Sequence, residues 1–427
     1  MSKSLQEIDK SLIWHPFTPL EGAIAPLVVT KGEGAYLYTE DGRKILDAVS
    51  SWWVNIHGHA QPDIAQAIAD QAMKLEQVIF AGFTHEPAVR VAESLLSLLP
   101  DKFSKVFYSD DGSTSVEVAI KLALQYWHNL GTPKKRLVAV EGAYHGDTFG
   151  AMAVGDRGGF TAPFGSLLFD VDFIPFPTEQ NKLQVFERLN ELTATGEVAA
   201  FIFEPLVQGA GGMNMYSPAI LNELMSIAQR NKVICIADEV MTGFGRTGTI
   251  FATDQTTHKP DLMCMSKGIT GGFLPLGVTA VADFIVEAFA TSELSKTFFH
   301  GHSFTANPLA CAAAIASMKL LLDESCHRQR EMIERSHRAF TERISSNLRV
   351  KNVRVTGTIL ALDINTGDTS YFNNIRTKVM PFFLERNILL RPLGNVIYVL
   401  PPYVVKEDEL AKVYEAIEEF LLQTDPA

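Results

Sequence analysis

The sequence is poor in positive charge, in clustered cysteine and in long apolar runs. Its 37 lysines and arginines stand against 49 acids, for a formal net charge of −12. A nucleic-acid footprint needs a basic face, so this balance argues against one. The four cysteines, Cys235, Cys264, Cys311 and Cys326, show no close pair and no metal-binding spacing. They are expected to be reduced structural thiols in a cytoplasmic protein. No apolar run approaches the roughly 20 residues of a membrane span. Met1 to Lys10 is polar and lacks the apolar stretch of a secretory signal, so none is expected there. Low-complexity tracts, internal repeats and flexible linkers are missing too. What is present is core material: 47% of 427 residues are hydrophobic, enough for one large domain and a smaller one.

Short apolar runs alternate with helical patterns along most of the chain. Residues 35–49 predict two short strands around Asp41-Gly42, and a helical spacing starts at Pro62. Lys105 to Ser109, Arg136 to Val140, Val198 to Phe203, Val233 to Ala237 and the run ending at Met265 predict strands. Ser113 to Leu130 and Pro218 to Gln229 predict helices, with Pro218 suited to a first turn. This alternation predicts an α/β fold with a mostly parallel sheet covered by helices on both faces. After about residue 320 a long charged helix and short strands (Val353 to Val355, Ile359 to Ile364, Val396 to Leu400) predict a small α+β domain. The expected division is a large domain over 60–320 and a small domain built from 1–59 and 321–427, because chain ends often lie together.

Two chemically loaded residues fall at predicted strand ends. Val233 to Ala237 runs into Asp238-Glu239, and the run Leu262 to Met265 into Ser266-Lys267-Gly268. In open α/β sheets the carboxyl edge is where ligands bind. A lysine there can form a Schiff base with an aldehyde, and an acid there can hold a cationic ring nitrogen. An enzyme using pyridoxal 5'-phosphate (PLP) needs both groups.

Other motifs gain meaning beside that pair. Asp110 to Ser115 joins a strand to a helix. Alone it is an ordinary N-cap; beside Lys267 and Asp238, Gly112 and Ser113 read better as a phosphate cup at a helix start. Tyr144-His145-Gly146 offers an aromatic ring for stacking or for the core, with no local preference. Gly243 to Gly248 matches G-x-G-x-x-G, yet the β-branched and aromatic Thr249-Ile250-Phe251 starts no helix, so a dinucleotide site is not expected. Ser50 to Trp53 holds two of the four tryptophans. They suit either packing or cation–π attraction to a cationic substrate. Arg391 between apolar runs suits carboxylate binding or an internal salt bridge. His300 and His302 have no third ligand nearby, and no metal is expected.

As a set these residues resemble the class III (ω-type) aminotransferases of PLP fold type I, over essentially the whole chain. The resemblance is carried by Tyr144-His145-Gly146, Glu204-Pro205, Gln208-Gly209, Ala237 to Val240, Gly243 to Gly248, Ser266-Lys267-Gly268 and Asn307-Pro308. It implies a seven-stranded, mostly parallel sheet between helices, plus the small α+β domain. Closer marks are Ile13 to Thr18, Ser51-Trp52-Trp53, Ile56 to His59, Leu124 to Trp127, Val207 to Met213 and Arg391-Pro392. They are similar to the branch of the family that moves an amino group from S-adenosylmethionine to 8-amino-7-oxononanoate in biotin synthesis. Phe17 stands where the family often has tyrosine, and His302-Ser303 where it often has Pro-Thr. These departures resemble a lysine-using branch, and a general ω-amino acid or diamine aminotransferase is the further alternative. The tryptophan pair weighs for S-adenosylmethionine, since an aromatic wall suits a sulfonium.

The resemblance also implies roles. Lys267 carries the PLP aldehyde and shuttles the proton. Asp238 holds the pyridine nitrogen, Gly112 and Ser113 bind the phosphate, and Tyr144 and Val240 lie against the two ring faces. Phe17, Trp52, Trp53, Tyr144 and Gly301 line the substrate pocket, and Arg391 takes the oxononanoate carboxylate. His302 and Ser303 reach the phosphate from a second subunit, so the site is shared in a homodimer.

Overall fold

The computed structural model describes residues 3–159, 161–365 and 375–423. Among them seven strands form one sheet, in the order Phe103–Ser109, Gly277–Ala282, Leu262–Met265, Ile234–Asp238, Val198–Phe203, Arg136–Val140, Asp172–Ile174. Neighbours pair in parallel except at Gly277–Ala282, which runs antiparallel to both strands beside it.

Burial explains why these runs became inner strands. Val198–Phe203 reads Val-Ala-Ala-Phe-Ile-Phe and is buried at every position. Successive side chains of a strand point to opposite faces. Ile234 and Ile236 therefore enter one core, with Val116 and Ala119 of helix Gly112–Asn129. Cys235 and Ala237 enter the other, with Leu221 and Leu224 of helix Pro218–Arg230. A strand that is apolar on both sides belongs in a sheet covered on both sides.

The chain ends meet. Val29–Glu33, Tyr36–Thr39 and Lys44–Asp47 form a four-stranded sheet whose last strand is Ile388–Leu389, in parallel with Lys44–Asp47. Leu400 N–H donates to Ala48 O at 2.8 Å and Tyr403 N–H to Ile56 O at 2.8 Å. A second sheet, Val350–Thr356, Ile359–Ile364 and Val396–Val399, lies with helices Glu324–Ile344 and Glu407–Leu422. Between those helices Phe340 and Tyr414 stack with centroids 4.5 Å apart. His337 Nε2–H donates to Thr358 O, which leaves Nδ1 to accept from the Tyr414 hydroxyl at 2.7 Å.

At the turn between Val350–Thr356 and Ile359–Ile364, Gly357 has φ +53° and packs against another backbone. A Cβ there would lie 2.3 Å from Gly248 N. Gly357→Ala is therefore expected to lower the thermal unfolding midpoint, through a destabilisation of about 1–3 kcal/mol or more. Calorimetry checks this, and an unchanged midpoint would show that the two segments part freely.

Candidate active site

The carboxyl edge of the large sheet gathers the chemistry. Parallel strands end there at Ser109, Val140, Phe203, Asp238 and Met265. The residues that follow them, Gly112, Tyr144, Glu204, Val240 and Lys267, line a common cavity of about 420 Å³. Lys267 follows Ser266, whose hydroxyl donates to Leu276 O at 2.8 Å. The lysine itself has φ +45°, an uncommon left-handed backbone, and opens a single 3₁₀ turn. Burial holds the Lys267 amine below the ordinary lysine value of 10.5, against opposing pulls from Asp238, Glu204 and Asp111.

Asp238 faces the same cavity from the neighbouring strand. Its Oδ2 lies 2.7 Å from His145 Nδ1, and its Oδ1 accepts from Val240 N–H at 3.1 Å. His145 Nε2 is buried with no hydrogen-bond partner among the described residues. Glu204 is buried. It accepts from Tyr144 N–H at 3.0 Å and from Gly209 N–H at 2.8 Å. Burial, helped by the charge of Asp238 and opposed by His145, pushes its carboxyl up to about 7.

The start of helix Gly112–Asn129 forms another part of the cavity wall. Asp111 caps it by accepting from Thr114 N–H at 2.7 Å, and the preceding Gly112 and Ser113 border the cavity. The first N–H groups of a helix favour an anion. A Cβ on Gly112 would lie 2.7 Å from Val240 Cγ1, so only glycine allows Val240 to pack there. Gly146, at φ +133°, is equally constrained: a Cβ would sit 2.1 Å from Ser113 Oγ. That same oxygen accepts from Asp147 N–H at 3.2 Å.

The aromatic candidates come together at one end. Trp53 is buried, and its ring centroid lies 5.5 Å from Lys267 Nζ. Trp52 is 39% exposed; Phe17 packs edge-on against it at 5.5 Å, and the Arg391 guanidinium lies 4.7 Å from its centroid. Ser50, Ser51, Trp52 and Trp53 all have positive φ, from +48° to +84°. A left-handed turn of side-chain-bearing residues costs roughly 1–2 kcal/mol per residue. Gly301, His302 and Ser303 do not line the cavity of this chain. His302 Nε2 comes within 3.9 Å of Asp110 Oδ1, Ser303 O accepts from Gln77 Nε2 at 2.6 Å, and Gly301 is exposed. Among the described residues no group of three histidine, cysteine or acidic side chains is placed to hold a metal. The Gly243–Gly248 loop folds into turns, and among the described residues only the single 3₁₀ turn Ala252–Gln255 follows it, not the α-helix a dinucleotide site needs.

The model of the family described as "Aminotransferase class-III" matches residues 19–421. The chain belongs to the class-III aminotransferases. Adenosylmethionine-8-amino-7-oxononanoate aminotransferase of Synechococcus elongatus is 50% identical over 417 residues, covering 96% of this chain and 98% of that protein. The crystal structure of the enzyme of the same name from Methanocaldococcus jannaschii superposes with a TM-score of 0.94 at 34% identity, covering 99% of both chains. An amine transaminase from an uncultivated Pseudomonas species, solved in its PLP-bound form, superposes at 0.91 with 28% identity, over 97% of this chain and 99% of that one.

The class-III aminotransferase site fits PLP on its own geometry. A helix start without a Cβ at Gly112, a buried acid at Asp238 and a lysine of lowered basicity face one cavity. In the sequence Glu204 stands out only through the Glu204-Pro205 motif. Its burial and its grip on Tyr144 come from a long-range contact that local sequence does not show.

Two outcomes are expected. Gly146→Ala displaces Ser113 and should weaken PLP binding at least about tenfold in titrations of cofactor-free protein, as for a lost charge-assisted hydrogen bond. For Lys267, only the neutral amine attacks an aldehyde, so PLP uptake should rise with pH and level off below 10.5. A plateau reached only above that value would contradict the lowered basicity.

Proposed function

We propose that this aminotransferase moves an amino group from S-adenosylmethionine to 8-amino-7-oxononanoate, giving 7,8-diaminononanoate, with PLP as cofactor. The observation that carries the reading is one assembly: Lys267 and Asp238 in a cavity that Trp53 also lines, with Trp52, Phe17 and Arg391 grouped beside it. The relatives named above support the same pair of substrates.

Bound PLP supplies an electron sink that makes the proton on the amine-bearing carbon of a substrate acidic. In this reading Gly112 and Ser113 hold its phosphate, Asp238 its ring nitrogen, and Tyr144 and Val240 its faces. Lys267, whose basicity desolvation lowers, takes and returns the proton at Nζ. His145 and Val240 N–H fix the Asp238 carboxyl. Trp52 and Trp53 offer π faces to a cationic donor, and Arg391 offers two parallel N–H groups to the acceptor carboxylate. Gly301, His302 and Ser303 serve the site of a second copy in a homodimer. The site lies where a large domain over 60–320 meets a small one built from 1–59 and 321–427.

Mixing the holoenzyme with one amine at a time tests the donor. S-adenosylmethionine alone is expected to bleach the visible cofactor band, while lysine and β-alanine leave it. Bleaching by lysine instead would move the donor assignment to the lysine-using branch. Lys267→Ala should lower turnover by about 10²–10⁴-fold, the usual worth of a positioned acid–base group. Wild-type turnover in that variant would remove Lys267 from the mechanism.

A further inference from the structure

The left-handed turn Ser50–Trp53 raises a question that the cavity does not answer: what holds four such residues in place. Asp47, the last residue of strand Lys44–Asp47, is wholly buried beneath the turn. Its Oδ1 accepts from Val49 N–H at 3.1 Å, where the turn begins. Its Oδ2 accepts from the Ser51 hydroxyl at 2.9 Å, inside the turn. The same Oδ2 lies 2.9 Å from His59 Nε2. Asn55 Nδ2 donates to His59 Nδ1 at 3.0 Å, so the imidazole hydrogen sits on Nε2 and points at Asp47.

The far side of the turn is held separately. Ser50 Oγ–H donates to Leu400 O at 2.8 Å, and the buried Arg246 donates to Trp53 O at 3.3 Å and Pro401 O at 2.8 Å. The charge of Asp47 also acts on Arg246. The turn is thus over-determined from both ends, the condition under which unfavourable backbone persists. Its product is specific. Two consecutive indoles point to different places, Trp53 toward Lys267 and Trp52 toward Phe17 and Arg391.

We propose that Asp47 is a positioning residue for substrate recognition: it holds the left-handed turn that aims Trp52 and Trp53. This rests on the reading of those tryptophans as the substrate-facing wall. Asp47 touches none of the groups assigned to the cofactor, so its loss acts on KM rather than on cofactor loading. An asparagine at 47 keeps one acceptor oxygen but sets an N–H₂ where Ser51 and His59 both need an acceptor.

The test compares Asp47→Asn, Ser51→Ala and Trp52→Phe holoenzymes, with kcat and KM for S-adenosylmethionine and the visible band as a check on cofactor content. Asp47→Asn is expected to raise KM at least about tenfold, with kcat and the band little changed. Ser51→Ala removes one strut only and should raise KM about threefold. Adding Ser51→Gly to Asp47→Asn frees a left-handed position from its side chain and should recover much of the lost KM. A purely structural role would raise the thermal midpoint of that double variant without moving KM, and would overturn the proposal. Unchanged KM in Asp47→Asn and Ser51→Ala, with Trp52→Phe raising it, overturns the role of Asp47 and leaves the aromatic wall standing. Unchanged KM in all three overturns both. Should Asp47→Asn fail to fold, Ser51→Ala and Trp52→Phe decide alone.

Discussion

The parallel pairing of Ile234–Asp238 with Leu262–Met265 is the constraint on which the site depends. Its register sets Asp238 beside Cys264, so the acid and the lysine three residues beyond Cys264 leave the sheet as neighbours. A shift of one residue would turn Asp238 toward the opposite face. The apolar residues of both strands, buried on two sides, make that shift costly. The chemistry is thus aligned by ordinary core packing, and the carboxyl edge receives functional groups already in place.

Much of this was legible because buried strands announce themselves. Val198 to Phe203 and Ile359 to Ile364 are runs with no polar interruption long enough to blur their ends, and both lie where the sequence puts them. The strand Gly277–Ala282 is not legible in the sequence. It follows a glycine-rich loop and reads Gly-Val-Thr-Ala-Val-Ala, a pattern too small in side-chain volume to stand out from a loop. Asp172–Ile174 is three residues long and is made a strand only by its neighbour Arg136–Val140. Asp238 and Lys267 were readable because each ends such a run. Asp47 and Glu204 were not, since their roles lie in hydrogen bonds to partners distant in space or hidden in turn geometry.

Charge in this molecule is handled by desolvation as much as by pairing. Glu204 and Arg246 are buried and Lys267 is half-buried, and none has a close ion-pair partner among the described residues. Burial pushes the lysine and the glutamic acid toward their neutral forms. Arg246 cannot give up its proton under such conditions, and backbone carbonyls of Trp53 and Pro401 take up its hydrogen bonds. The same low-polarity surroundings that tune two groups for proton exchange make the third a permanent clasp between chain segments.

The inverted strand has a consequence of its own. Leu262–Met265 and Gly277–Ala282 form a hairpin, so the segment that bears Lys267 is moored at both ends to the rigid sheet, with Met265 beside Val278. A crossover helix in its place would have left one end of that segment on a long, bendable tether. Here the backbone of the lysine keeps a fixed address, and the travel needed to exchange partners falls to the four-carbon side chain alone.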